Sequence, residues 1–137
     1  MKNNIYYQYI KQRIQNNEKV AIMKSNYRLN KTGQAIIIQQ PFTSEDIKLP
    51  EKVNSFSRYG AVGAERYNVV GLATHAVCSD TVSSATIPDS YLYIEDEAFW
   101  NCPNLKKVTI GSGLMAFNKK MFFGCNNLES VEFINNE

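Results

Sequence analysis

A chain of 137 residues with 44% apolar side chains, 20% charged side chains and a net charge of +2 has the size of one domain and the composition of a soluble globular protein. The small positive balance excludes the strong basic excess of a nucleic-acid binder. No 18-residue apolar run is available to cross a bilayer, so no membrane partner is expected.

The opening stretch MKNNIYYQYIKQRIQNNE lacks the continuous apolar core of a secretory leader, which points to a cytoplasmic chain. Ile5, Tyr9 and Ile14 fall along one helical stripe, widened by Tyr6, Ile10 and Arg13, so an amphipathic helix is predicted there. KVAIMK (19–24) and QAIIIQQ (34–40) read as two strands around the connection SNYRLNKTG, with Gly33 supplying the turn. Residues 1–45 are therefore expected to form a small α+β cap.

From residue 46 onward the apolar pattern becomes repetitive. KLPEKVNSF (48–56) parallels TIPDSYLYI (86–94), and Leu72, Ala76 and Val77 lie 22 residues before Ile94, Ala98 and Phe99. The period then settles at 23: Ile87 matches Ile110, Ile94 Phe117, Phe99 Phe122, Cys102 Cys125, Leu105 Leu128 and Val108 Val131. Regular units occupy 85–107 and 108–130, with a terminal strand at 131–134.

Each unit carries an L-x-x-V-x-I pattern, as Leu105, Val108, Ile110 and again as Leu128, Val131, Phe133, which suits a short strand with alternate side chains inward. The Pro88-Asp89-Ser90 turn follows, and Ile94, Ala98 and Phe99 have the spacing of about one helical turn facing the same core. One such unit cannot bury its inward face alone; stacked neighbours can.

The order TIPDSYLYIEDEAFWNCPNLKKVTI resembles the BspA-like leucine-rich repeats, whose units carry a proline turn, an Ile, an Ala-Phe pair, a Cys and a Leu-x-x-Val-x-Ile strand. The resemblance is strong over 85–107. It weakens over 108–130, where Gly111 replaces the proline and Met121 the alanine, and it extends in all over 46–137. It implies an α/β fold, a short right-handed leucine-rich-repeat solenoid with a parallel sheet, and roles in protein binding and adhesion.

Candidate chemistry is sparse. Cys78, Cys102 and Cys125 form no CxxC pair, and the repeating Cys102 and Cys125 read as small buried filler. His75, near Cys78 and Asp80, suggests a nucleophile pair only superficially; its repeat equivalent, Glu97, occupies an outward position. GAVGAERYNVVGLA lacks the glycine spacing that cradles phosphates. No enzyme activity, cofactor or metal is expected.

The informative departures are large apolar residues where the repeat does not ask for them. Trp100 and Phe123 are equivalent, as are Leu92 and Met115, and equivalents on adjacent turns stand about 5 Å apart. They form two apolar rows with Tyr93 beside them, a candidate surface for a protein partner unless the N-terminal helix covers it or Trp100 tucks inward. On the strand face Lys106 is expected beside Glu129, as a solvated charge pair.

Solenoid ends need cover, and residues 1–45 are the natural cover for the first repeat. The edge bearing Val131, Phe133 and Ile134 is either blunted by the Asn-Asn-Glu tail or paired with another molecule, including a second copy in a homodimer. The function expected is a non-catalytic protein-binding module. The alternatives are a phage or mobile-element inhibitor of a host enzyme, of the anti-defence or anti-CRISPR type, and a secreted adhesin fragment lacking its leader.

Overall fold

Alternating apolar residues build one parallel sheet from segments far apart in the chain. The computed structural model describes residues 26–56 and 62–134. Strands β3 (Asp46–Lys48), β6 (Ser84–Ile87), β8 (Lys107–Ile110) and β9 (Ser130–Phe133) lie side by side in that order. Ser84 pairs with Lys107 and Lys107 with Ser130, so the 23-residue period of the sequence is the step from one coil to the next. Ala85, Ile87, Val108 and Ile110 point inward and are buried, whereas Ser84, Thr86, Lys107 and Thr109 face outward.

A second sheet closes the other side of the coils. Its order is β1 (Tyr27–Leu29), β2 (Ala35–Ile37), β5 (Val62–Leu72) and β4 (Lys52–Phe56), with the short β7 (Tyr93–Ile94) also pairing with β5. Gly71 lies beside Tyr93 and Leu72 beside Ile94, and Val77 bridges Phe99, so the 22-residue offset read from the sequence is a true coil-to-coil register. Lys48 pairs with Thr86 at the start of the same turns. The chain thus takes 24 residue steps from Lys48 to Leu72 to make the passage that it makes in eight, from Thr86 to Ile94, one coil later. The difference is the antiparallel β4–β5 hairpin.

The helical turn expected from Ile94, Ala98 and Phe99 is not there. All three are buried as predicted, but the backbone around them bonds mainly between coils: the Glu95 N–H donates to Leu72 O (2.9 Å) and the Phe99 N–H to Met121 O (2.9 Å), with the Ala98 N–H to Glu95 O (3.1 Å) as a single local turn. A stretch this short gains too few i→i−4 bonds to nucleate a helix, and Glu97, with φ +60, leaves the helical region altogether. Among the described residues the one helical element is the 3₁₀ turn Lys119–Phe122, where Asn118 Oδ1 accepts from the Lys120 N–H (2.8 Å).

The cap also differs from expectation. The predicted helix and the strand 19–24 lie outside the described residues. SNYRLNKTG, expected as a connection, itself contains β1, which pairs antiparallel with β2. Asn30 Oδ1 accepts from the N–H groups of Thr32 (3.0 Å) and Gln34 (2.9 Å), and Gly33 takes φ +80, so Gly33 supplies a turn as expected, and that turn joins β1 to β2. Beyond the hairpin, β2 runs parallel to β5 and buries Ala35, Ile36 and Ile37.

One continuous core runs through the coils. It includes Leu72, Val77, Tyr91, Phe99, Cys102, Leu105 and Met121, with Phe122, Leu128 and Val131 packed against it. The stacking fills a space that a single repeat leaves open to water.

Candidate functional site

The two predicted rows form as adjacent-coil pairs. The Asn101 N–H donates to Phe123 O (3.0 Å) and the Trp100 N–H to Val77 O (2.9 Å), which sets the coils in register at this corner. The Trp100 and Phe123 rings then stack with centroids 5.1 Å apart and planes 10° from parallel. Trp100 is half-buried between neighbours, and Phe123 is 56% exposed. Leu92 and Met115 are joined by the Met115 N–H donating to Leu92 O (2.9 Å), and their exposures are 37% and 80%.

Tyr93 is less available than its sequence position suggests. Its ring lies over Gly71, where an added Cβ would come within 2.8 Å of it, so the glycine is the seat of the tyrosine. Tyr93 is half-buried in consequence.

His75 extends the aromatic row, which the sequence did not reveal. Its ring lies 4.5 Å from that of Trp100, and its Nε2 is 2.9 Å from Glu97 Oε1. His75 and Glu97 both take φ +60 at equivalent turns, and the His75 N–H donates to Glu97 O (2.9 Å). The pairing of His75 with its repeat equivalent was visible in the 22-residue offset. Its contact with Trp100 depends on the left-handed turn, which no local pattern announces.

The cysteines divide by position. Cys102 and Cys125 are buried, and each thiol donates to a carbonyl of the preceding coil, Val77 O and Phe99 O, both at 3.4 Å. The contact with Cys125 and then burial push the Cys102 thiol well above the ordinary range, so it stays protonated. Cys78 is exposed, in an open groove of about 400 Å³ lined by Pro41, Phe42, Ser79, Asp80 and Asn101. Among the described residues no three His, Cys, Asp or Glu side chains converge as metal ligands.

On the strand face the ion pair is Lys107 with Glu132 (3.4 Å), diagonal across β8 and β9, rather than Lys106 with Glu129. Both partners are more than half exposed, and such a pair adds little to stability. At the second sheet Glu95 gathers Arg28 Nη2 (2.9 Å) and the Thr74 N–H (2.9 Å), tying β1 to the coils.

No curated protein matches the chain. A family model described as a BspA type leucine rich repeat region of six copies matches residues 70–137. The fold is similar to that of a leucine rich cell surface protein from Faecalibacterium prausnitzii A2-165, with TM-score 0.63 and 26% identity over 79% of this chain and 27% of that one. It is also similar to a leucine-rich repeat protein from Bacteroides capillosus ATCC 29799, with TM-score 0.58 and 16% identity over 83% of this chain and 96% of that one. The chain spans about a quarter of the length of the first of these. Among the described residues no helix is long and apolar enough to cross a membrane. The period, the inward Ala-Phe and Cys positions, the parallel strands and the family match agree, and residues 70–137 belong to the BspA-type leucine-rich repeats.

Proposed function

We propose that this protein is a non-catalytic protein-binding module that engages its partner through the rows Trp100/Phe123 and Leu92/Met115, with Tyr93 at their margin. Leucine-rich repeats generally serve as protein-interaction modules, and the observation that carries the reading here is exposure. Phe123 and Met115, equivalent to two residues that already interrupt the polar surface, stand 56% and 80% open to water. Large apolar side chains aligned on successive coils form a patch of the kind that marks an interface, with aromatic residues as its anchors. Residues 1–45 serve in this reading as the cover of the first coil, a role supported by the burial of Ala35 and Ile37 against β5.

The test is capture of a partner from native lysate by the unaltered chain and by the double variant Trp100→Ser/Phe123→Ser. The variant should lose the captured species while its circular dichroism spectrum is unchanged. Retention of the same species at the same yield would place the binding surface elsewhere.

A second reading is adhesion at a cell surface. It is favoured by the similarity to a protein described as a leucine rich cell surface protein, at 26% identity. Protease treatment of intact producing cells separates it from a cytoplasmic module, since only a surface chain is digested before lysis.

A further inference from the structure

Cys102 and Cys125 stand in one column of the core on adjacent coils. Each follows a residue with left-handed backbone, Asn101 at φ +50 and Gly124 at φ +81, and each thiol donates to a carbonyl one coil back, Val77 O and Phe99 O, at the same 3.4 Å. The two side chains thus leave equivalent backbones in the same direction. Equivalent rings beside them give the spacing of the coils at this corner: Phe99 and Phe122 lie 5.3 Å apart, Trp100 and Phe123 5.1 Å.

The column holds these two thiols alone. Ser79, 23 residues before Cys102, is buried and its hydroxyl donates to Phe42 O (3.2 Å), while Cys78 beside it is exposed. Within the core Cys102 therefore has a single thiol partner. A coil spacing of about 5 Å falls inside the Cα separation of about 4.4–6.8 Å that a disulfide spans. The Cβ atoms must still close to about 3.5–4.5 Å, which draws the coils together locally. A bond formed against that resistance is one that a dithiol opens readily.

We propose that Cys102 and Cys125 are a reversible redox pair, which hydrogen peroxide converts to a disulfide tying the two coils together beneath the Trp100/Phe123 stack.

Cys125 is the attacking group. Its contact with Cys102 lowers its pKa while the same contact raises that of Cys102, so the first proton leaves Cys125. Cys125 also keeps 7% exposure where Cys102 has none, which admits a small peroxide and excludes a bulky aromatic reagent. Its thiolate attacks one peroxide oxygen. The S–O bond forms, the O–O bond breaks, and the departing hydroxide takes up a proton as water. The Cys102 sulfur then attacks the sulfenic sulfur of Cys125. The S–S bond forms, the S–O bond breaks, and the hydroxyl leaves with the Cys102 proton as a second water. The pair of thiols is oxidised to one disulfide, and one hydrogen peroxide is reduced to water.

The test uses the whole chain carrying Cys78→Ser, which removes the exposed thiol and leaves the column intact. Dilute hydrogen peroxide in native buffer should lower its intact mass by about 2 Da. Trypsin, which cuts at Lys106 and Lys120 between the two cysteines, should then release their peptides as one joined species that dithiothreitol separates. The same joined species should appear from the unaltered chain, a readout that needs no variant to fold. The oxidised chain should unfold at a higher urea concentration than the reduced one, because the bridge closes a loop in the unfolded state. None of these readouts depends on what the Trp100/Phe123 row binds. Two free thiols in the Cys78→Ser chain, counted by alkylation in denaturant after a peroxide dose that consumes Cys78 of the unaltered chain, overturn the proposal. So does a mass raised by added oxygen without a joined peptide, or a joined peptide that forms only in denaturant.

Discussion

The indole of Trp100 and the ring of Phe123 lie face to face, 5.1 Å apart and 10° from parallel, on two coils whose backbones are joined at this corner. The spacing is that of the coils themselves, so the contact follows from the 23-residue period once both positions carry an aromatic ring. Trp100 has a neighbour on each side, His75 and Phe123, while Phe123 is covered on its Trp100 side and 56% exposed overall.

Phe123→Ala should therefore open one face of the single tryptophan to water. The expected result is a red shift of Trp100 emission and a stability loss of about 1 kcal/mol in urea, from the lost stack and a little lost burial. Phe99→Ala, at the fully buried position next door, should cost about 3–5 kcal/mol. Equal losses for the two would mean that the Phe123 ring is held in the core.

How far the sequence carried the fold depends on the kind of contact. The strand registers were legible because Ala85, Val108 and Val131 repeat at a fixed period, and a parallel coil converts period directly into register. The segment around Glu97 was not, since two apolar residues four apart look the same on a helix and on a bent chain whose hydrogen bonds go to its neighbours. β1 was missed because Tyr27–Leu29 lies between turn-forming residues, and its strand character comes from the partner β2. Of the candidate site, the pairing within each row was readable, but Tyr93 was set back by Gly71 and His75 brought forward by its left-handed backbone, and neither effect leaves a local signature.

Gly124 is expected to resist substitution more strongly than Gly33. Both take positive φ, +81 and +80, but nothing lies within 4 Å of a Cβ built on Gly33, whereas one on Gly124 would collide with the Asn101 side chain. The backbone term alone is about 1–2 kcal/mol in each case. Gly124→Ala should exceed Gly33→Ala in equilibrium unfolding by the cost of moving Asn101, its equivalent on the preceding coil. The reverse order would show that Asn101 yields freely.

Thiol chemistry should separate the cysteines sharply. In the native protein an aromatic disulfide reagent should modify one thiol, Cys78, quickly, and all three only in denaturant. Cys78→Ser should abolish the fast phase without altering the unfolding midpoint. Rapid native modification of two or three thiols would mean that the coil carrying Cys125 opens readily, because Cys102 is fully buried and its thiol is bonded to Val77 O.

Tyr91 gives the fold a dependence on alkaline pH. It is fully buried, its hydroxyl donates to Pro50 O at 2.8 Å, and burial, followed by the charge of Glu51, raises its pKa well above the ordinary 10.0. In the unfolded chain the phenol ionises near pH 10, while in the folded chain it stays neutral, so above that pH the unfolded state binds fewer protons. The stabilisation is complete below about pH 10 and is lost as pH rises further, by up to about 1.4 kcal/mol per pH unit. Tyr91→Phe should cost about 1–2 kcal/mol at neutral pH, because Pro50 O is left without its donor. The gap between the two proteins should then narrow above about pH 10, since the phenylalanine variant carries no such proton linkage. Tyr27 and Tyr67, whose pKa values are also raised, are common to both and cancel in the difference. A gap that stays constant from neutral pH to about pH 11 would show that the Tyr91 hydroxyl is hydrated in the folded protein and not enclosed by the coils.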